Sequence, residues 1–157
     1  MATAAEPLLE NLVGRELRRV QAFLAVLRQE KSLLEAANTE PLAALAEEKT
    51  RLAVELSQLC QAREAELTRL GLIPGKSGMN VWCESTNAAS RGNWQRLLGA
   101  AGEAKALNDT NGKLIALRLQ HNQRALAVLT AAADQAATYG PDGQQRLSSG
   151  GRSLGSA

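Results

Sequence analysis

The stretch Gly71-Leu72-Ile73-Pro74-Gly75-Lys76-Ser77 comes nearest to a chemical motif. A phosphate-binding loop of the Walker type needs four residues between its glycines, and here three stand there. Such a loop must also leave a strand and open a helix, so that amide N–H groups converge on phosphate. The surrounding pattern leaves a helix and enters more loop, so no nucleotide site is expected. His121 is the single histidine, and a metal site in a helical bundle needs several histidines and carboxylates facing one another. Beside Arg118 and Arg124 it reads as a surface residue. Cys60 and Cys83 form no CxxC; a disulfide, a weak metal pair and two ordinary thiols are all open to them. The start, MATAAEPLLENLVGRE, has neither a basic head nor a continuous apolar stretch, so no signal peptide is expected. Free thiols in a reducing cytosol are therefore the expectation. Glu47 and Glu48 have no matching carboxylate–histidine motif, and no Ser/His/Asp or Cys/His grouping exists. Without a general base or nucleophile the chain is not expected to be an enzyme, and no metal or cofactor is implied.

What remains are the elements that would position other kinds of residue. The chain has 157 residues, 45% hydrophobic, 22% charged and 3% aromatic. That is one domain's worth, apolar enough to fold. Ala and Leu make up roughly a third of it. A core this poor in aromatics and rich in Leu and Ala is expected to be helical, and a sandwich or barrel is nearly ruled out on strand composition. A formal net charge of +2 is too balanced for a nucleic-acid binder. The densest basic stretch, Arg15, Arg18 and Arg19, encloses Glu16 and has no interleaved aromatics; it reads as a solvated helix face. No run of eighteen apolar residues exists, so no membrane insertion is expected.

Pro7 suits a helix's first turn. From there Val13, Leu17, Val20, Leu24, Leu27 and Leu34 alternate steps of four and three, with Lys31 in one slot: a heptad seam over residues 7–37. Asn38-Thr39-Glu40-Pro41 is a short connector in which Asn38 or Thr39 can cap and Pro41 can start the next helix. The second helix, residues 42–70, carries Leu42, Leu45, Leu52, Leu56, Leu59 and Leu70, with Lys49, Arg63 and Glu66 in intermediate slots. Their stems can line the groove while their heads reach water. Gly71 and Pro74 stop this helix, and the short connector predicts an antiparallel hairpin. Residues 71–92 read as a loop with Met79, Val81 and Trp82 as anchors.

A third stripe runs over residues 94–137: Trp94, Leu97/Leu98, Ala101, Ala104, Asn108, Asn111, Ile115, Leu119, Asn122, Leu126 and Leu129. Gly92, Gly99, Gly102 and Gly112 weaken it, each by about 1 kcal/mol relative to Ala, and mark places for a kink. Residues 140–157 hold Pro141, glycines and serines around only Leu147 and Leu154, and read as a flexible tail. The fold expected is all-α: an elongated antiparallel bundle of three long helices with coiled-coil-like packing, one helical domain at 1–139, then the tail. The asparagines of the third stripe allow two readings. They set register inside a bundle, or they belong to a groove that pairs with a partner helix.

Beyond spacing, the second half carries a recognisable order of residues. Leu107-Asn108-x-x-Asn111-Gly112-x-Leu114-Ile115 is followed by Asn122-Gln123-x-Ala125-Leu126-x-Val128-Leu129, then by Tyr139-Gly140-x-Asp142-Gly143-Gln144. After a Trp at 94, this order resembles the FlgN family of flagellar export chaperones. Glu47-Glu48-Lys49-x-x-Leu52 is similar to that family's middle helix. The resemblance is specific from Trp94 to Gln144 and weak before Leu42.

The resemblance implies a cytoplasmic chaperone for type III export. It would hold the terminal regions of the hook-filament junction proteins FlgK and FlgL, prevent their premature association and escort them to the export gate protein FlhA. It places substrate binding on Leu107, Asn108, Asn111, Leu114, Ile115, Asn122, Leu126 and Leu129, and gate docking on Tyr139. A helix-end aromatic packing back on the bundle is the structural alternative for Tyr139. The alternative for the whole chain is a coiled-coil adaptor whose seams serve self-association, and a homodimer is left open.

Overall fold

The computed structural model describes residues 6–138, and these form four helices: α1 (Glu6–Glu35), α2 (Leu42–Arg69), α3 (Lys76–Ser85) and α4 (Ala88–Thr138). No strand occurs among the described residues. The all-helical expectation holds. The count differs: a fourth helix occupies the middle of the segment read as a loop, and α4 starts six residues before Trp94. The tail at 140–157 lies outside the described residues. The chain divides into two units, residues 1–115 and 116–157.

In the first unit the heptad seam of α1 is the core. Val13, Leu17, Val20, Leu24, Leu27 and Leu34 are all buried. Leu67 of α2 and Trp94 and Leu97 of α4 pack with Val13, Leu17 and Val20, Ala104 of α4 packs with Leu24 and Leu27, and Leu45 and Leu52 of α2 pack with Val26, beside the seam. Polar contacts give the directions. Glu16 meets Arg63 and Glu30 meets Lys49, so α1 and α2 are antiparallel. Glu10 meets Asn87, Arg28 meets Glu103 and Glu30 meets Asn111, so this part of α4 runs parallel to α1.

The first two helices end in the same device. After α2, Gly71 has φ +75°, its N–H donates to the Thr68 carbonyl, and the Leu72 N–H donates to the Leu67 carbonyl. This is a Schellman turn, which needs a left-handed residue at that position. After α1 the same bonds run from Ala37 to Leu34 and from Asn38 to Leu33, but the left-handed residue is Ala37, at φ +57°. A Cβ there costs about 1 kcal/mol relative to glycine. Neither Asn38 nor Thr39 caps α2 with its side chain; Pro41 takes the N-cap position, and the Leu42 N–H donates to the Thr39 carbonyl.

α3 forms because Met79, Trp82 and Cys83 recur at helical spacing and join the core around Leu9, Val13, Leu67 and Trp94. Gly75, at φ +93°, turns the chain into it, and its N–H donates to the Glu64 carboxylate. Gly78 sits against the backbone of Ile73: a Cβ built on it would lie 1.8 Å from the Ile73 carbonyl oxygen. The glycines that read as loop punctuation are thus what lets a helix fold back on its own entry loop. Asn87 then caps α4, accepting from the Ser90 N–H at 2.8 Å. Arg91 closes the junction by donating to the carbonyls of Cys83 and Thr86. Gly92, Gly99, Gly102 and Gly112 all lie inside α4 with no break at any of them.

Two of the three polar slots of α2 are buried, which corrects the expectation that their heads reach water. Arg63 is buried, donates to Glu16 at 2.8 Å, and lies 5.1 Å from the centre of the Trp94 ring. Burial works against its charge, but Glu16, Cys60 and Glu64 more than offset that and raise its pKa above the ordinary arginine value. Glu66 is buried too, and the guanidinium of Arg69 grips it with bonds of 2.8 and 2.6 Å that hold its carboxyl below the usual range. Lys49 is half-buried and reaches Glu30 at 3.2 Å.

Candidate functional site

The structure sorts the third-stripe residues into two groups. In the first unit, the buried face of α4 runs through Ser90, Trp94, Leu97, Ala104 and Asn111, with Ala100 and Leu107 packed partly against the core. Ala101, Asn108 and Ile115, one step further round, are exposed. A spacing-based stripe drifts because 3.6 residues per turn does not match a strict alternation of four and three over many turns.

Asn111 belongs to the interior. It is wholly buried, and its amide donates to the Leu27 carbonyl at 2.8 Å and to Glu30 at 2.7 Å. Lys49 completes the set from α2, so one carboxylate, Glu30, ties three helices at one level. Of the two readings open to the asparagines, this geometry is the register-setting one for Asn111. A partner does not reach it in this arrangement. Leu107 is half-buried against Leu24, Leu27 and Ala104, and Leu114 is half-buried. Asn108 and Ile115 face outward, Ile115 with 46% of its surface exposed.

In the second unit the described residues, 116–138, are helical, and the side chains over 116–137 are exposed or, at Arg118, half-buried. Leu119, Asn122, Leu126 and Leu129 follow steps of three and four, so they share one face. Leu126 and Leu129 keep 65% and 67% of their surface in solvent. Val128, off this face, is exposed as well. A helix that leaves leucines this open at regular intervals has an apolar strip without a cover among the described residues. Each such leucine contributes roughly 1.5–3 kcal/mol when a partner buries it. Leu117, also exposed, was not singled out from the sequence, and Val128 entered only through the family-like order of residues, because both break the period that defines the strip. Tyr139 lies outside the described residues.

The chemically suggestive residues do not assemble. Among the described residues, no three of His, Cys, Asp and Glu gather closely enough to hold a metal. Cys60 and Cys83 are both free and half-buried. Burial pushes the Cys83 thiol up, against the opposing charge of Arg91, which is the wrong direction for a thiolate nucleophile. Cys60 Sγ accepts a bond from Arg63 at 3.4 Å. His121 is exposed on α4. The segment 71–77 does open a helix, α3, but it leaves one as well, and the Gly75 N–H is already taken by Glu64. No described helix is long and apolar enough to cross a membrane.

Comparison with known proteins adds a family to this geometry. The family described as FlgN protein matches residues 1–146. A flagella synthesis protein FlgN of Yersinia enterocolitica is 29% identical over 141 residues, covering 88% of this chain and 89% of that protein. Its counterpart in Yersinia enterocolitica serotype O:8 is 28% identical over 141 residues, with the same coverage of both chains. No solved structure matches the chain.

Proposed function

Because the chain belongs to the FlgN family, we propose that it is a cytoplasmic export chaperone for the hook-filament junction proteins FlgK and FlgL, which it escorts to the gate protein FlhA. The observation that carries the reading is the uncovered strip Leu119–Leu126–Leu129 in the second unit. Terminal segments that assemble only after export are amphipathic and unpaired beforehand, and they associate wrongly when left bare. An exposed leucine strip on a helix covers such a face in the helix-in-groove manner. Capture and release by this means use no nucleotide on the chaperone.

Binding of FlgK and FlgL terminal fragments, measured by calorimetry, tests the reading. Leu126→Asp is expected to weaken capture at least about tenfold, since it removes a buried leucine's 1.5–3 kcal/mol and adds a charge. Val54→Asp, at another exposed apolar position, on α2, should leave affinity within about twofold. Equal affinity of Leu126→Asp and the unaltered chain would reject the strip as the binding surface. The adaptor reading predicts instead concentration-dependent self-association, visible by light scattering, without preference for junction proteins.

Gate docking is assigned to Tyr139 on the family resemblance. Tyr139→Ala is expected to retain junction-protein binding and to lose most of its affinity for the cytoplasmic domain of FlhA. An unchanged affinity for that domain removes Tyr139 from the docking role.

A further inference from the structure

We propose that a basic groove between α1 and α2 is a docking site for an acidic peptide segment of a partner protein. The groove has a volume of about 620 Å³ and lies wholly within the first unit. Its apolar lining is Leu12 and Leu59, both nearly buried, and Ala62. Three arginines of α1, Arg15, Arg18 and Arg19, line the same space.

The three are not equivalent. Arg19 is held by Glu55 at 2.9 Å. Arg15 and Arg18 are exposed and have no hydrogen-bond or ion-pair partner among the described residues. Most arginines of this unit are satisfied internally: Arg28 by Glu103, Arg51 by Glu55, Arg63 by Glu16, Arg69 by Glu66 and Arg91 by backbone carbonyls. Two unsatisfied guanidinium forks three residues apart, beside an apolar lining, are suited to grip carboxylates by paired N–H bonds while the methylenes of the same side chains lie on Leu12 and Leu59.

The lining also selects the class of partner. Glu55 stands in the wall and opposes every anion alike, carboxylate or phosphate, so the choice of partner rests on the rest of the lining. No aromatic lines the groove to stack a base. Gln58 supplies an amide that donates to and accepts from a peptide backbone. The proposal does not rest on the export reading, since its residues are remote in sequence from the α4 strip and its test uses neither junction proteins nor the gate.

The experiment titrates the full chain with a fluorescein-labelled hexaglutamate peptide and reads anisotropy. Binding is expected at about 20 mM salt and should weaken by about 200 mM, where exposed charges are screened. Arg15→Glu/Arg18→Glu should weaken it at least about tenfold, and Arg15→Ala/Arg18→Ala by a smaller but clear factor. Glu55→Gln, which frees Arg19, should tighten it about threefold. Arg96→Glu/Arg124→Glu carries the same net charge as the first variant and should leave binding within about twofold. All these positions are at least partly open to solvent, and circular dichroism verifies that each variant keeps its helices. The proposal is overturned by absence of binding, by an equal loss in Arg96→Glu/Arg124→Glu, or by tripolyphosphate displacing the peptide at lower concentration than free hexaglutamate.

Discussion

Glu16→Ala is expected to lower the stability of the helical unit by about 3 kcal/mol, the lower end of the range for breaking a buried ion pair. Both partners are enclosed, with side chains only 8% and 9% exposed, and the contact is 2.8 Å. Removing the carboxylate leaves a guanidinium that cannot shed its proton and has little access to water. The loss falls short of the upper end because Glu64 still accepts from Arg63 Nη1, and Trp94 still offers its ring face. Urea unfolding followed by circular dichroism measures it. The double variant Glu16→Met/Arg63→Met should recover most of the loss, because apolar residues of similar volume replace buried ion pairs at little or no cost. A coupling of about 2 kcal/mol between the two positions is expected. A loss below about 1 kcal/mol for Glu16→Ala, or single effects that simply add, would mean the pair is better hydrated than its burial indicates.

This pair also marks how far pattern reading reaches into the fold. The six apolar seam positions of α1 were legible because apolar side chains recurring at 3.5-residue spacing have one place to go, and all six are buried. The antiparallel hairpin was legible because a connector of a few residues allows little else. Arg63 and Glu66 were visible only as gaps in a seam. A charged residue on an apolar face either snorkels or finds a partner inside. The partner of Arg63 is Glu16, on another helix, and one chain's spacing does not say which positions of two helices meet.

The apolar strip was partly legible for a related reason. Periodicity identifies apolar positions on a face; it does not tell whether the molecule's own helices already cover that face. Asn111 and Leu126 stood on one stripe in the sequence, yet the first is sealed against Leu27 and Glu30 and the second is mostly in solvent. What separates them is cover: α1 seals the first, and the second keeps 65% of its surface in solvent. Arg15 and Arg18 posed the converse problem. Composition made them a solvated face, and only the arrangement of α1 against α2 shows that Glu55 engages Arg19 and leaves the other two open.

Gly78→Ala is expected to cost about 3 kcal/mol, the upper end for overpacking a well-filled site. The added methyl would sit 1.8 Å from the Ile73 carbonyl oxygen and 3.0 Å from its carbon. Backbone cannot step aside as a flexible side chain can, so either α3 or its entry loop must move. That loop is fixed by the Schellman turn at Gly71 on one side and by the Gly75–Glu64 bond on the other. The strain therefore falls on the seating of Met79 and Trp82, both essentially without solvent exposure. Trp82 gives the readout: its fluorescence should shift to the red and its near-ultraviolet dichroism should weaken, while helical content changes little. Gly102→Ala is the matched control. It lies inside α4 with nothing within 4 Å of an added Cβ, and it should stabilise the chain by about 1 kcal/mol on helix propensity. Opposite signs for one chemical change are the expected result. If Gly78→Ala instead stabilises as Gly102→Ala does, α3 does not lie against the Ile73 backbone, and the segment between α2 and α4 is the open loop that its glycines suggest.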